Sequence, residues 1–252
     1  MTFKPDQPRH VYKAPATTLG IVEPPSVLHP AMAGEKAFPE GQAPAGISNA
    51  AGWLKQARET WERVNHVRTT ADPSMTESGH ILAVNETAEK AMNGVLRNFD
   101  SARAALTASA ARLQSEIEDA ARLTPTAHAG EIRSVIRSLP ESDRYNAILT
   151  AMNGGDTATI AAVMSAPGIT SGLSDDQVKN LRNMYTKRAA PTQHEHLAAV
   201  QKADQNMLTA LDQMLVKGED LSLSSKAKLL KEKQAAARAA AQALKPSGGM
   251  WG

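Results

Sequence analysis

Cysteine is absent from the 252 residues. That excludes disulfides, zinc–thiolate sites, iron–sulfur clusters and thiol catalysis, and it fits a reducing compartment. Aromatic residues make up only 4% of the chain. Alanine is abundant, and Leu and Met carry the large apolar positions, a balance that favours helices over sheets because strands draw on β-branched and aromatic residues. No run approaches the roughly 18 apolar residues of a membrane helix. Met1–Lys13 contains no apolar core segment and does not read as a secretory signal. Net charge is only +2, but it is unevenly spread. From Leu223 onward Lys226, Lys228, Lys231, Lys233, Arg238 and Lys245 face a single acid, Glu232, so a basic end follows an acidic body.

Proline is also missing from one long stretch, Ser78–Leu123, whose only glycines are Gly79 and Gly94. Within it Met92, Phe99, Leu106, Leu113 and Ala120 recur at heptad spacing, while Ala88, Val95, Ala102 and Ser109 form a second seam. The pattern predicts one helix with large residues on one seam and small ones on the other. At 1.5 Å per residue it would be about 65 Å long. A helix of that length cannot bury its stripe against itself, so other helices of the chain, or other copies, must cover it.

Elsewhere proline is concentrated. Residues 1–47 hold 8 of the 14, including Pro24-Pro25, and Leu19, Ile21, Val22, Val27 and Leu28 follow no period. This segment reads as an extended arm that becomes ordered only along a partner surface. Ser48 is the expected N-cap of a helix to about Arg68, with Trp53, Leu54, Ala57, Trp61 and Val64 on one face. Those tryptophans read as core rather than as a binding platform. Thr124-Pro125 ends the long helix, and short helices are expected over 127–138, 141–152 and 157–165. The first turns Ile132, Val135 and Ile136 inward; Gly154 is the expected left-handed cap of the second, and Asp156 caps the third. Ser174–Gln177 forms a capping box for a helix to Arg188, and Thr192–Glu195 a second one for a helix to Gly218. That last helix, with Leu197, Val200, Met207, Leu211 and Met214 on one face, is the natural antiparallel partner of the long one. A terminal helix over 224–244 carries Leu223, Leu230, Ala237 and Leu244 at heptad spacing beside Lys231, Arg238 and Lys245.

Chemistry-bearing clusters are few. His194 and His196 flank Glu195, but side chains two apart on a helix point about 200° apart and cannot grip one ion. Asn153-Gly154-Gly155-Asp156 lacks the Lys-Ser/Thr of a phosphate loop and reads as a turn. No Gly-x-Ser-x-Gly elbow occurs, and Asp175-Asp176 complement a helix dipole.

The run Ala166-Pro167-Gly168-Ile169-Thr170-Ser171-Gly172-Leu173-Ser174-Asp175-Asp176-Gln177, set between short helices and a longer one, resembles a segment of uncharacterised virion-associated structural proteins of tailed bacteriophages, over residues 131–188. The resemblance carries no catalytic residue. It implies a structural part of the phage particle, internal and ejected or associated with the head–tail region.

The expected protein is all-α: an elongated helical bundle built on one heptad-patterned helix. It divides into an arm (1–47), a helical domain (48–222) and a basic helix with a tail (223–252). Pro24, Pro25 and Leu28 on the arm, Met92, Phe99, Leu106 and Leu113 on the long helix, and Lys231, Arg238, Lys245 and Trp251 at the basic end are the residues expected to meet partners. Those partners are other copies of the chain and other virion proteins, with packaged DNA an alternative for the basic helix. No enzymatic activity, cofactor, metal, small molecule or membrane contact is expected. The expected location is the virion, assembled in the host cytoplasm. Competing readings are a capsid scaffolding or assembly protein and a DNA-binding protein.

Overall fold

The computed structural model describes residues 19–121 and 123–243. Eight α-helices occur among them, with no strand: α1 Ala45–Thr69, α2 Glu77–Ala121, α3 Ala129–Ser138, α4 Glu141–Gly154, α5 Thr157–Met164, α6 Asp175–Ala189, α7 Pro191–Ser222 and α8 Ser224–Ala243. The chain is all-α, as its alanine-rich, aromatic-poor composition requires.

Two compact units cut across the three expected segments. The first takes residues up to Ala33, Ala50–Ala102 and Asn206 onward; the second takes Gly34–Asn49 and Arg103–Gln205. In the first unit α1 and α2 run antiparallel. Trp53 meets α2 at Val95 and Phe99, its indole N–H donating to the Val95 carbonyl at 3.0 Å and its ring meeting Phe99 edge-on at 5.1 Å, whereas Arg68, fifteen positions on, meets His80. α7 is antiparallel to α2 as well. Asn85 Nδ2 reaches Ser222 O, and a Cβ on Gly218 would stand 3.3 Å from Met92 Cε. Trp53, Leu54, Ala57, Trp61 and Val64 are all buried, as the core reading of that face required.

The second unit is organised around α5. Ile160 to Met164 are five consecutive buried residues, which makes this a helix apolar on every side and covered by its neighbours α3, α4 and α6. Side chains cap the first turns of α5 and α6. Asp156 accepts the Thr159 N–H at the start of α5, and both hydrogen bonds of the Ser174–Gln177 capping box open α6. Here α1 and α2 come close at Gly46, whose N–H donates to Ser109 Oγ at 3.1 Å.

The long-helix stripe is covered within the chain. Phe99, Leu106, Leu113 and Ile117 are buried, as are Ala88, Val95, Ala102 and Ser109. Met92 is half-buried. Near the end the pattern departs from expectation: Ala120 is exposed and Ala121 buried. A straight helix of 3.6 residues per turn drifts from a strict heptad, and the inward position steps from Leu113 to Ile117 to Ala121.

Several boundaries are corrected. α1 begins at Ala45, directly after Pro44, so Ser48 lies inside the helix and its hydroxyl donates to Glu35. A proline pre-sets the first turn as well as a side-chain cap does, and Pro191 does the same for α7, where Thr192 lies within the helix rather than at a capping box. Gly155, at φ 73°, takes the left-handed cap assigned to Gly154. Gly218 does not end α7, which runs on to Ser222, because tertiary packing against Met92 keeps that turn helical. Val135 faces solvent at 62% exposure while Ile136 is buried.

Gly46→Ala is expected to destabilise the chain by about 1–3 kcal/mol, because its Cβ would stand 2.7 Å from the Ala105 carbonyl oxygen and Leu106 Cα, backbone atoms that cannot swing aside. Gly52→Ala, with nothing within 4 Å, is expected to stabilise by about 0.5–1 kcal/mol through helix propensity. Urea unfolding of the two variants measures both.

Candidate functional site

The arm is where the structure departs most from a reading by sequence. Its described part, from Leu19, is not free-standing. Short 3-10 turns at Ser26–Leu28, Pro30–Ala33 and Glu35–Ala37 follow the prolines, and Leu28, at 0% exposure, and Ala33 are buried within the chain. Pro25 is buried too, and Pro24 is half-buried. The surface that orders residues 19–33 is therefore the chain's own, and of the three arm residues expected to meet a partner, Pro25 and Leu28 are withdrawn from solvent.

The grip is polar and comes from one face of α1. Trp61, Asn65 and Arg68 recur at i, i+4 and i+7, the spacing that stacks side chains on one side of a helix. Asn65 closes on both backbone groups of one arm residue: Val22 N–H donates to Oδ1 at 3.0 Å, and Nδ2 donates to Val22 O at 2.7 Å. Trp61 Nε1 donates to that same oxygen at 2.7 Å. Arg68 Nε donates to Gly20 O at 2.6 Å. Farther along, Asn206 Nδ2 donates to Met32 O at 2.7 Å. Each of these bonds engages the arm's backbone, and Ile21, between the two gripped residues, is 67% exposed.

Arg68 has a second task. Its Nη1 donates to Asp220 O and Leu221 O at 2.7 and 3.1 Å, carbonyls in the last turn of α7 that no helical N–H can reach. Burial lowers the guanidinium pKa from its ordinary value and Asp220 opposes that shift. An arginine stays protonated under either influence. His80 Nε2 meets the Arg68 carbonyl at 3.0 Å, closing the node from α2. Beside it Ile21, Glu23, Arg68, Asp220, Leu223 and Lys226 line an open cleft of about 610 Å³.

α8 leaves this region after Leu223, which adopts φ 55°. A left-handed leucine is strained by about 1–2 kcal/mol, and burial of its side chain with Ile81, Val84 and Ala227 holds it there. Lys231 Nζ then reaches Asn85 Oδ1 at 3.0 Å and Glu89 at 3.8 Å. Every residue from Lys231 to Ala243, Arg238 and Ala237 included, is exposed. Lys245, Leu244 and Trp251 lie outside the described residues.

The histidine pair separates as its spacing demands. His194 Nε2 meets Thr186 Oγ1 at 3.0 Å, and the His196 ring packs on Phe38 with centroids 4.7 Å apart. Burial, and then the Lys187 charge, hold the His194 pKa below its ordinary value. Among the described residues no group of three His, Asp or Glu side chains is placed to hold a metal ion, and no helix is long and apolar enough to cross a membrane. Comparison with protein-family profiles, with curated proteins and with solved structures finds no match to this chain.

Sequence reasoning placed Trp61 correctly in the core but missed Asn65 and Arg68. The signal was available: two polar residues continue the apolar face of α1 at its helical spacing, and buried polar groups need partners. Asn65→Ala is expected to strand the Val22 N–H and cost about 1–3 kcal/mol. Hydrogen exchange at the Val22 amide and proteolysis within residues 19–33 should both accelerate, whereas Asn98→Ala, which removes an exposed bond to Gln56, should change neither.

Proposed function

We propose that this chain is a non-enzymatic structural component of a tailed-phage virion, present in several copies and bound to its neighbours in the particle through its backbone-gripping arm site and the exposed face of α8. The observation that carries this reading is the arm clasp. Trp61, Asn65, Arg68 and Asn206 direct buried or half-buried polar side chains at polypeptide backbone, which is the chemistry of a part that holds protein segments in place.

The resemblance of residues 131–188 to virion-associated proteins supplies the setting. In this structure its most recognisable run is a built turn. Gly168 N–H donates to Asp175 Oδ1, Leu173 N–H donates back to Gly168 O, and a Cβ on Gly168 would stand 2.6 Å from the Leu173 oxygen. A motif with that role specifies architecture, in keeping with a structural protein assembled in the host cytoplasm.

A mass-spectrometric inventory of purified particles tests the proposal. The chain is expected in mature particles in multiple copies. Presence in precursor particles alone would identify a scaffolding or assembly protein instead.

A second reading, DNA binding through α8, is favoured by the exposure of Lys226, Lys228, Lys233 and Arg238 along a helix whose described end has no cover. If α8 meets DNA, Lys228→Glu with Arg238→Glu should abolish duplex binding that weakens steeply with salt. If it meets acidic protein, the wild-type chain should show no such binding, and the double variant should fail to enter particles.

A further inference from the structure

The clasp recognises backbone, and backbone is the part of the arm that any copy of the chain can supply. Four hydrogen bonds engage Gly20 and Val22, and a fifth engages Met32. Leu28 adds a fully buried apolar anchor between them. The segment so held ends at a residue suited to redirect the chain. Gly34 has φ 78°, and no atom lies within 4 Å of where its Cβ would stand. Glycine passes between positive and negative φ at little cost, which is what a hinge requires. Gly34 is also the point at which the chain passes from the first compact unit to the second.

We propose that residues 19–33 exchange between copies, the arm of one chain seating in the Trp61–Asn65–Arg68 clasp of a second while Leu28 fills the same buried position there. The exchanged arm makes the same contacts as the arm seated in its own chain. The balance between the two forms is therefore set by concentration and by the freedom of the hinge, which is the physical basis of domain swapping. Reciprocal exchange closes a two-fold dimer. The occupant follows from the complementarity already on display: the groove fits this segment, and every copy carries one. This inference deepens the proposed function and rests on its reading of a chain present in several copies, naming the arm's partner as a second copy.

The test uses the full chain. Isotopically light and heavy versions, each with a photoreactive amino acid at the exposed position of Ile21, are mixed at high concentration, equilibrated, irradiated and digested. Crosslinks from position 21 are read against the residues lining the cleft around it, among them Arg68, Asp220 and Leu223. With light and heavy chains in equal amounts, full exchange makes about half of these crosslinks mixed, as random pairing of copies requires, and the mixed share falls on dilution before irradiation. Products of a single isotope only, from a chain that keeps its helical circular dichroism, would overturn it. Asn65→Ala weakens the seat in both forms alike, so the total of cleft crosslinks should fall several-fold while the mixed share stays the same; a mixed yield that this substitution leaves undiminished would place the contact outside the clasp and overturn the assignment. Failure here is distinguishable from failure of the virion role. A chain found in particles whose arms never exchange leaves that role standing, and a chain absent from particles whose arms do exchange retains the swap alone.

Discussion

A helix of 45 residues has an apolar side that nothing in its own sequence neighbourhood can cover, and the burial of that side is the constraint to which most of this chain answers. In the first unit α1 and α7 both run antiparallel to α2, and each contact is cut to fit. Trp53 fills the space beside Phe99 and ties its indole nitrogen to the Val95 carbonyl. Gly218 sits where Met92 needs room. In the second unit Gly46 is pressed so close to α2 that its missing side chain is part of the packing. Small residues on the second seam, Ala102 and Ser109, mark where backbone approaches, while Phe99, Leu106 and Leu113 provide the apolar area whose removal from water drives the arrangement.

Covering an apolar face in this way leaves helix ends and a proline-rich segment inside or beside the core, and their backbone groups require partners. The polar node around Arg68 answers that need. One guanidinium caps the carbonyls of the last turn of α7 and holds Gly20, while Asn65 and Trp61 satisfy Val22. Prolines deprive the arm of helix and sheet, so side-chain amides and indoles take over what a ladder of backbone bonds would do elsewhere. The same node ties the arm, α1 and the end of α7 together.

Residues 232–243 of α8 are exposed throughout. The helix is anchored by Ala227 and Leu230 at its start and by the Lys231 bonds to Asn85 and Glu89. Beyond that point alanine supplies helix propensity without needing a cover, and the basic residues keep the surface solvated.

What the sequence by itself determined is the helical class, the long helix, the core face of Trp53–Val64, and the caps at Asp156 and Ser174. These depend on propensity, on period and on hydrogen bonds within four residues, all of which are local. Only the tertiary structure decided the rest. Leu223 adopts a left-handed backbone because a buried apolar cluster holds its side chain, and Gly218 stays helical because Met92 packs on it. Ser48 and Thr192 are not caps because Pro44 and Pro191 open their helices first. The clasp was the least legible of all. The helical spacing of Asn65 and Arg68 marks them as facing inward, but which groups they hold is decided only when a segment more than forty positions away is laid across them. A hydrogen bond between groups so distant in sequence does not name its partner in the chain that makes it.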